Sequence, residues 1–295
     1  MRLEYSSPCK INLLLNILGR RPDGFHELET LMHPVPVHDR LAFETAAHGI
    51  TLTCSDPCLP VDGANLVHRA ASAFLSAAKI TAGVRIHLEK RIPLAAGLGG
   101  GSGDAATTLL GLNELFGQPL TPSQLEALAA TLGSDVPFFL QSNPALATGR
   151  GEKVQALEPF DVLRDVWVLL IHPGFGIATA WAYQSLARFP RALNGEPGRG
   201  ERLIATWRAG DLPGGMAQLY NSLEAPALEK YPILALYQEH LRAAGALGTL
   251  MSGSGSTTFA LAAGRPAAER LREAFFSKFG SNPWTAVAPL ATAAR

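Results

Sequence analysis

Cysteine is scarce. The chain has three, Cys9, Cys54 and Cys58, an odd and sparse set that makes no disulfide framework. Cys54 and Cys58 lie close together, yet no second Cys/His pair completes a structural zinc site. No histidine pair brackets a glutamate at helical spacing, so no metal ligand set is expected. A reduced, intracellular chain follows. Long apolar runs are missing as well: no segment reaches the roughly 20 residues that cross a bilayer. The apolar stretch Ile11–Leu18 is interrupted by Asn12 and Asn16 and lacks a small-residue cleavage site, which excludes a secretory signal. Excess charge of one sign is absent, with 25 basic residues against 25 acidic. Nothing in that balance suits nucleic acid or an anionic membrane. These absences point to a cytoplasmic protein with no nucleic-acid and no membrane partner; a monomer or weak homodimer is expected, though nothing in the composition gives the oligomeric state.

What is present is core material. Hydrophobic residues make up 47% of the 295 and charged residues 17%, which excludes global disorder and allows one large domain or two modest ones. Leu3–Tyr5, Ile11–Leu18, Leu41–Glu44, Ile50–Thr53 and Val84–Glu89 read as strands, with a turn at Arg20–Gly24. Leu66–Lys79 has helical spacing with Asn65 as N-cap, and Ala105–Phe116 is a second helix. Thr121-Pro122 opens a third that ends near Gly133. The turn-rich Gly149–Arg164 is the candidate boundary, giving domains 1–155 and 156–295. Beyond it, Val166–Ile171, Gly248–Ser252, Thr257–Ala262 and Thr285–Pro289 read as strands. Thr179–Arg188, Ile233–Ala244 and Ala267–Lys278 read as helices, and Arg191–Gly200 as an exposed loop. Strands and helices mix without regular alternation, so the class is α+β.

The most informative stretch runs from Pro93 to Ala106. Five of the seven positions from Gly97 to Gly103 are glycine. Each costs about 0.5–1 kcal/mol to order relative to alanine, more than a plain connector needs. Glycine lets a backbone approach a ligand, and the helix that follows offers unpaired N–H groups and a positive dipole end. Strand, glycine loop and helix N-terminus together make a phosphate cradle. Gly101 is read as a position needing positive φ and close approach, where valine would block nucleotide. The loop lacks the Lys of a Walker A sequence, has Ser102 where a dinucleotide fingerprint needs glycine, and has Asp104 where a nucleophile elbow needs one.

The stretch resembles the second motif of the superfamily of galactokinase, homoserine kinase, mevalonate kinase and phosphomevalonate kinase. Ser7–Leu13 is similar to its first motif and Leu250–Ser256 to its third. Gly19–His26 and Gly133–Phe139 narrow the resemblance to the branch acting on a cytidine-diphosphate-linked methylerythritol, in non-mevalonate isoprenoid synthesis. The resemblance implies a two-domain fold with the active site in the interdomain cleft, an N-terminal ATP-binding domain, and ATP with Mg2+ as cofactors. It implies Lys10 and Asp135 as the catalytic pair, the aspartate accepting or orienting the hydroxyl proton and the ammonium offsetting phosphoryl charge. Read alone, they are more readily a solvated surface lysine and a turn or helix-cap residue after Gly133.

Resemblance further implies that Pro93, Gly97, Leu98, Gly99, Gly100, Gly101, Ser102 and Gly103 hold ATP, with Asn65 near the adenine. Ser102 is also readable as a helix cap, and Asp104 as a magnesium ligand or, preferably, an acid favoured by the helix dipole. Asn12 shares a strand face with Lys10 and is assigned to substrate. Phe25 and Tyr183 match positions that sandwich the cytosine while His26 reads its edge. Cys9, Phe25 and Gly103 depart from the commoner Ala, Tyr and Ser, and the last leaves no hydroxyl at 103 for a metal. Two alternatives stay open: a sister kinase for mevalonate or homoserine, and a catalytically silent ligand sensor on the same fold.

Overall fold

A computed structural model describes residues 2–290. Its strands are β1 (Arg2–Arg20), β2 (His26–Ala46), β3 (Ile50–Cys54), β4 (Gly83–Glu89), β5 (Ala145–Gly149), β6 (Lys153–Ala156), β7 (Val166–His172), β8 (Tyr220–Asn221), β9 (Gly248–Met251), β10 (Thr258–Ala263) and β11 (Trp284–Pro289). Its helices are α1 (Leu66–Ala77), α2 (Gly100–Leu115), α3 (Pro122–Leu132), α4 (Thr179–Ser185), α5 (Pro190–Leu193), α6 (Arg199–Arg208), α7 (Leu212–Met216), α8 (Glu224–Lys230), α9 (Pro232–Ala243) and α10 (Arg265–Phe279). The class is α+β, as expected. No helix among the described residues is long and apolar enough to cross a membrane.

The chain divides into two compact units, and the division is not a single cut after residue 155. Of the described residues, one unit takes those up to Cys9, Val37–Ile92 and Gly99–Ser142; the other takes Lys10–Pro36, Pro93–Leu98 and the described residues from Asn143 onward. Gly149–Arg164, read as a boundary, instead opens on the β5–β6 hairpin, with Ala145 opposite Ala156 and Thr148 opposite Lys153. Its glycines are hairpin-turn residues rather than linker residues.

In the first unit β4 lies antiparallel to β2, from Arg40↔Glu89 to Ala46↔Gly83, and parallel to β3. Helices α1, α2 and α3 complete it. Phe43, Phe74, Leu109 and Leu112 are buried there. A side chain at Gly111 would lie 2.5 Å from the Phe43 ring, so the helix comes close to the strand only as glycine. In the second unit β2 pairs antiparallel with β5 and β1 pairs parallel with β8. A four-stranded antiparallel sheet, β11-β7-β10-β9, carries α10 and α9 over a core that includes Leu169, Ile171, Leu234, Leu241, Leu271 and Phe275.

Two sequence expectations fail for an identifiable reason. Leu3–Tyr5 and Ile11–Leu18 are one strand, because Ser7, Cys9 and Lys10 between them are buried and Lys10 is bonded inside the fold. Residues 199–230, read without helices, hold α6, α7 and α8. The first of these starts on the Glu29 carboxylate, which accepts from the Gly198 N–H at 3.0 Å and the Arg199 N–H at 2.8 Å. A cap supplied from a strand so distant in sequence leaves no local signal.

Candidate active site

The glycine loop bends where the sequence has no side chain to obstruct it. Gly97 and Gly99 both adopt left-handed backbone, with φ of 76° and 71°. At Gly97 the space is closed as well: a Cβ there would sit 2.0 Å from the Ser252 carbonyl oxygen. Gly99 is the N-cap and α2 begins at Gly100, earlier than the expected start at Ala105. Gly100, Gly101, Ser102 and Gly103 therefore form the first helical turn, and its leading N–H groups have no intrahelical acceptor. Ser102 is inside that turn and does not cap it; its hydroxyl makes no hydrogen bond among the described residues. Gly101 has helical rather than positive φ, and a Cβ there would meet only Leu66 at 3.6 Å. At Gly103 a Cβ would lie 2.7 Å from the Pro8 carbonyl oxygen and 2.9 Å from the Ser7 hydroxyl, so the strand runs tightly against the helix.

In the second unit the three motifs converge on Lys10. This residue is 3% exposed, and its Nζ donates to the Asn12 Oδ1 at 2.6 Å and the Gly97 carbonyl at 3.2 Å. The Asn12 amide donates to Thr30 Oγ1, which donates to the Leu14 carbonyl, so the asparagine is fixed with its oxygen towards the lysine. The backbone N–H of Lys10 donates to the Leu98 carbonyl at 2.9 Å. From the third motif, Ser252 Oγ donates to the same Gly97 carbonyl at 2.9 Å, and a Cβ on Gly253 would lie 3.3 Å from Lys10 Nζ. Asn221 locks this turn by donating to the Met251 and Gly253 carbonyls at 2.8 Å each. Asn221 and Thr30 are supporting residues that the sequence reading missed, since neither stands in a recognisable motif.

Beneath the helix start, in the first unit, lies a buried cation between two carboxylates. Lys90 Nζ is paired with Asp39 and, at 2.9 Å, with Asp104. A Cβ on Gly100 would be 3.4 Å from that nitrogen. Asp39 is well satisfied, also accepting from the Arg91 and Ile92 N–H groups. Asp104 is less so: besides Lys90, only the Ser7 hydroxyl helps to hold its charge, and its Oδ1 lacks a hydrogen bond of normal geometry. Burial pushes its carboxyl up to about 7, against the opposing pull of Lys90. The dipole reading of Asp104 therefore fails, because it is the fifth residue of α2 and the half-satisfied member of a buried ion pair.

Asn12, Phe25, His26 and Tyr183 all fall in the second unit, which a cut after residue 155 would have separated. The His26 and Tyr183 rings are 5.1 Å apart, tilted by 40°. Burial, helped by Arg20, holds His26 below its ordinary pKa, so its imidazole is neutral at neutral pH. Phe25 is 52% exposed and lies under the Arg150 guanidinium, 4.7 Å from carbon Cζ to ring centroid. Asn65 is the N-cap of α1: its Oδ1 accepts from Val67 N–H and its amide donates to the Pro60 carbonyl. Asp135 lies in the first unit, half-buried on the turn after α3. Among the described residues no group of three or more His, Cys, Asp or Glu is arranged to hold a metal ion.

Family models for the GHMP kinases match residues 65–143 (N-terminal domain) and 208–282 (C-terminal). A 4-diphosphocytidyl-2-C-methyl-D-erythritol kinase of Synechococcus sp. is 43% identical over 92% of this chain and 88% of its own length. One from Syntrophotalea carbinolica is 40% identical over 97% of both. The crystal structure of a 4-(cytidine 5'-diphospho)-2C-methyl-D-erythritol kinase superposes with a TM-score of 0.81 at 39% identity, covering 97% of this chain and 99% of the other. A homoserine kinase from Cytophaga hutchinsonii, with a TM-score of 0.77 at 21% identity over 97% of this chain and 93% of its own, shares the fold.

Proposed function

Since the chain belongs to the GHMP kinases, and within them to the 4-diphosphocytidyl-2-C-methyl-D-erythritol kinases, we propose that it transfers the γ-phosphoryl group of ATP to the 2-hydroxyl of 4-diphosphocytidyl-2-C-methyl-D-erythritol, in the cytoplasm. The observation that carries this reading is the convergence of Lys10, Asn12, Gly97, Ser252 and Gly253 around one buried ammonium.

Phosphoryl transfer asks for phosphate positioning, charge neutralisation and an oriented hydroxyl. The left-handed glycines and the open first turn of α2 suit the ATP phosphates, which backbone N–H groups from Gly97 to Ser102 would hold, while Gly103, whose N–H donates to the Gly99 carbonyl at 2.8 Å, contributes by its lack of a side chain. Pro93 precedes the loop and Leu98 lies within it, and the backbone around Asn65 meets the adenine, because the side chain of Asn65 is engaged as a cap. The hydroxyl oxygen bonds to the γ-phosphorus as the bond to the β,γ-bridging oxygen breaks. Asp135 takes or orients the hydroxyl proton, and Lys10 offsets the charge on the transferring group. When bound with ATP, Mg2+ neutralises phosphate charge. The Ser102 hydroxyl, which makes no hydrogen bond among the described residues, would be a contact for that ion, and the ion would supply charge neutralisation to the phosphates. Asp104 is excluded from that role by the Lys90 ammonium. Phe25, Tyr183 and His26 bind the cytosine, and Asn12 the polyol end.

A substrate panel with radiolabelled ATP tests the reading. Label should pass to the cytidylyl polyol and not to mevalonate or homoserine. Transfer to either of those would make this a sister kinase, and transfer to none a silent sensor.

A further inference from the structure

The β5–β6 turn delivers one residue to the candidate base pocket that the functional reading does not use. Pairing of β2 with β5 runs from Met32↔Ala145 to Leu28↔Gly149. Arg150 follows β5 directly, in the turn, and continuing the register sets it opposite Glu27, next to His26 at the start of β2 and to Phe25 just before it. The turn is built to present it. Gly149 and Gly151 flank it with φ of 74° and 101°, conformations that side-chain-bearing residues resist. The Glu152 carboxylate accepts from the Arg150 backbone N–H at 2.6 Å and fills the space over Gly149, 3.0 Å from where a Cβ would be.

The guanidinium so presented lies over Phe25 at 4.7 Å. It makes no hydrogen bond among the described residues; its ion pair to Glu152 is long at 3.9 Å, and it attracts the Asp23 carboxylate without forming a salt bridge to it. The neighbouring carboxylates are already engaged: Arg21 holds Asp23 at 3.2 Å and also pairs with Glu27, while Asp23 accepts from the Phe25 N–H. Arg150 is therefore a planar cation with uncommitted donors, docked on the ring assigned to cytosine. A guanidinium fork matches the paired oxygens of a diphosphate, and the substrate of the proposed reaction carries one next to its base.

We propose that Arg150 is a substrate-binding residue of this pocket, its guanidinium meeting the diphosphate of the cytidylyl substrate while its flat face rests on Phe25. The proposal deepens the functional reading above and rests on it. Calorimetry on the full-length protein with two probes, cytidine 5'-diphosphate and cytidine, separates the two. Wild type should bind the diphosphate more tightly than the nucleoside. Arg150→Gln should lose roughly 10- to 100-fold of affinity for the diphosphate, the range of one charge-assisted contact, and leave cytidine nearly unchanged. A merely structural arginine would move both probes together. Arg150→Met, which keeps the apolar stem over Phe25, serves as a second neutral variant should the first not fold. In steady state, KM for the cytidylyl substrate should rise while kcat and KM for ATP hold. Neutral variants that keep the wild-type preference for the diphosphate, or bind it more tightly, overturn the assignment alone. A wild type that binds neither probe removes the functional reading and this assignment with it.

Discussion

Tyr183 and His26 meet ring to ring, 5.1 Å apart, on different elements of one unit. Their contributions to a bound base are therefore coupled. Base–aromatic stacking is worth about 1–3 kcal/mol by alanine substitution, so Tyr183→Ala should raise KM for the cytidylyl substrate roughly 5- to 150-fold. KM for ATP should hold. His26→Ala should relax discrimination between cytosine and uracil, which differ at the edge and not the face. Because removing Tyr183 also frees the imidazole it packs on, the double variant should lose less than the sum of the singles. Strict additivity of the two in kcat/KM would show that the ring contact has no part in recognition. The neutral state of His26 adds a pH signature: burial lowers its pKa below 6.5, so affinity for the base should be flat above that value and change only at lower pH.

At the scale of the element, the glycine loop divides into positions that need glycine for the fold and positions that do not. Gly97 has left-handed backbone and a carbonyl 2.0 Å from any Cβ; Gly101 is helical with nothing nearer than 3.6 Å. Gly97→Ala should unfold the loop and lower the melting temperature. Gly101→Ala should be neutral or stabilising by up to about 1 kcal/mol, the usual helix preference. Any rise in KM for ATP in Gly101→Ala then reports close approach of phosphate rather than damage to the loop. Equal melting temperatures for the two variants would count against this division. Much of this was legible in the sequence and some was not. Asn65 and Thr121-Pro122 were readable as helix starts because caps are local. The start of α2 was misplaced, because a run of glycines reads as loop even where it is helix. The cap of α6 by Glu29, the Lys90–Asp39–Asp104 cluster and the anchoring of the third motif by Asn221 depend on residues far apart along the chain, and spacing carries no trace of them. Lys10, Asn12 and the three motifs were visible as a pattern, but their convergence on one carbonyl was not.

For the whole molecule, two buried groups pull stability in opposite directions over one pH window. His33 is buried with its Nδ1 2.8 Å from the Pro34 carbonyl, and burial pushes its pKa from 6.5 down to about 4. Between those values the unfolded chain binds a proton that the native state refuses, so this group costs stability as pH falls, about 3 kcal/mol in all. Asp104 is shifted the other way, from 3.8 up to about 7. There the native state keeps a proton that the unfolded chain has released, so its contribution is present at low pH and is lost as pH rises through 7. Asp39, with two backbone donors as well as Lys90, anchors the ion pair, so Asp104 can be neutralised without leaving the lysine alone. Asp104→Asn should therefore fold, gain stability relative to wild type above pH 7, and lose stability more steeply on acidification, because the Asp104 slope that opposes that of His33 is gone. Asp39→Asn should be destabilised at every pH by about 3–5 kcal/mol, the usual effect of breaking a buried pair. Urea unfolding midpoints for wild type and both variants, taken from below pH 4 to above pH 7, measure this. An Asp104→Asn curve that runs parallel to wild type throughout would mean that Asp104 is ionised in the native state across the range, and that the cluster does not titrate.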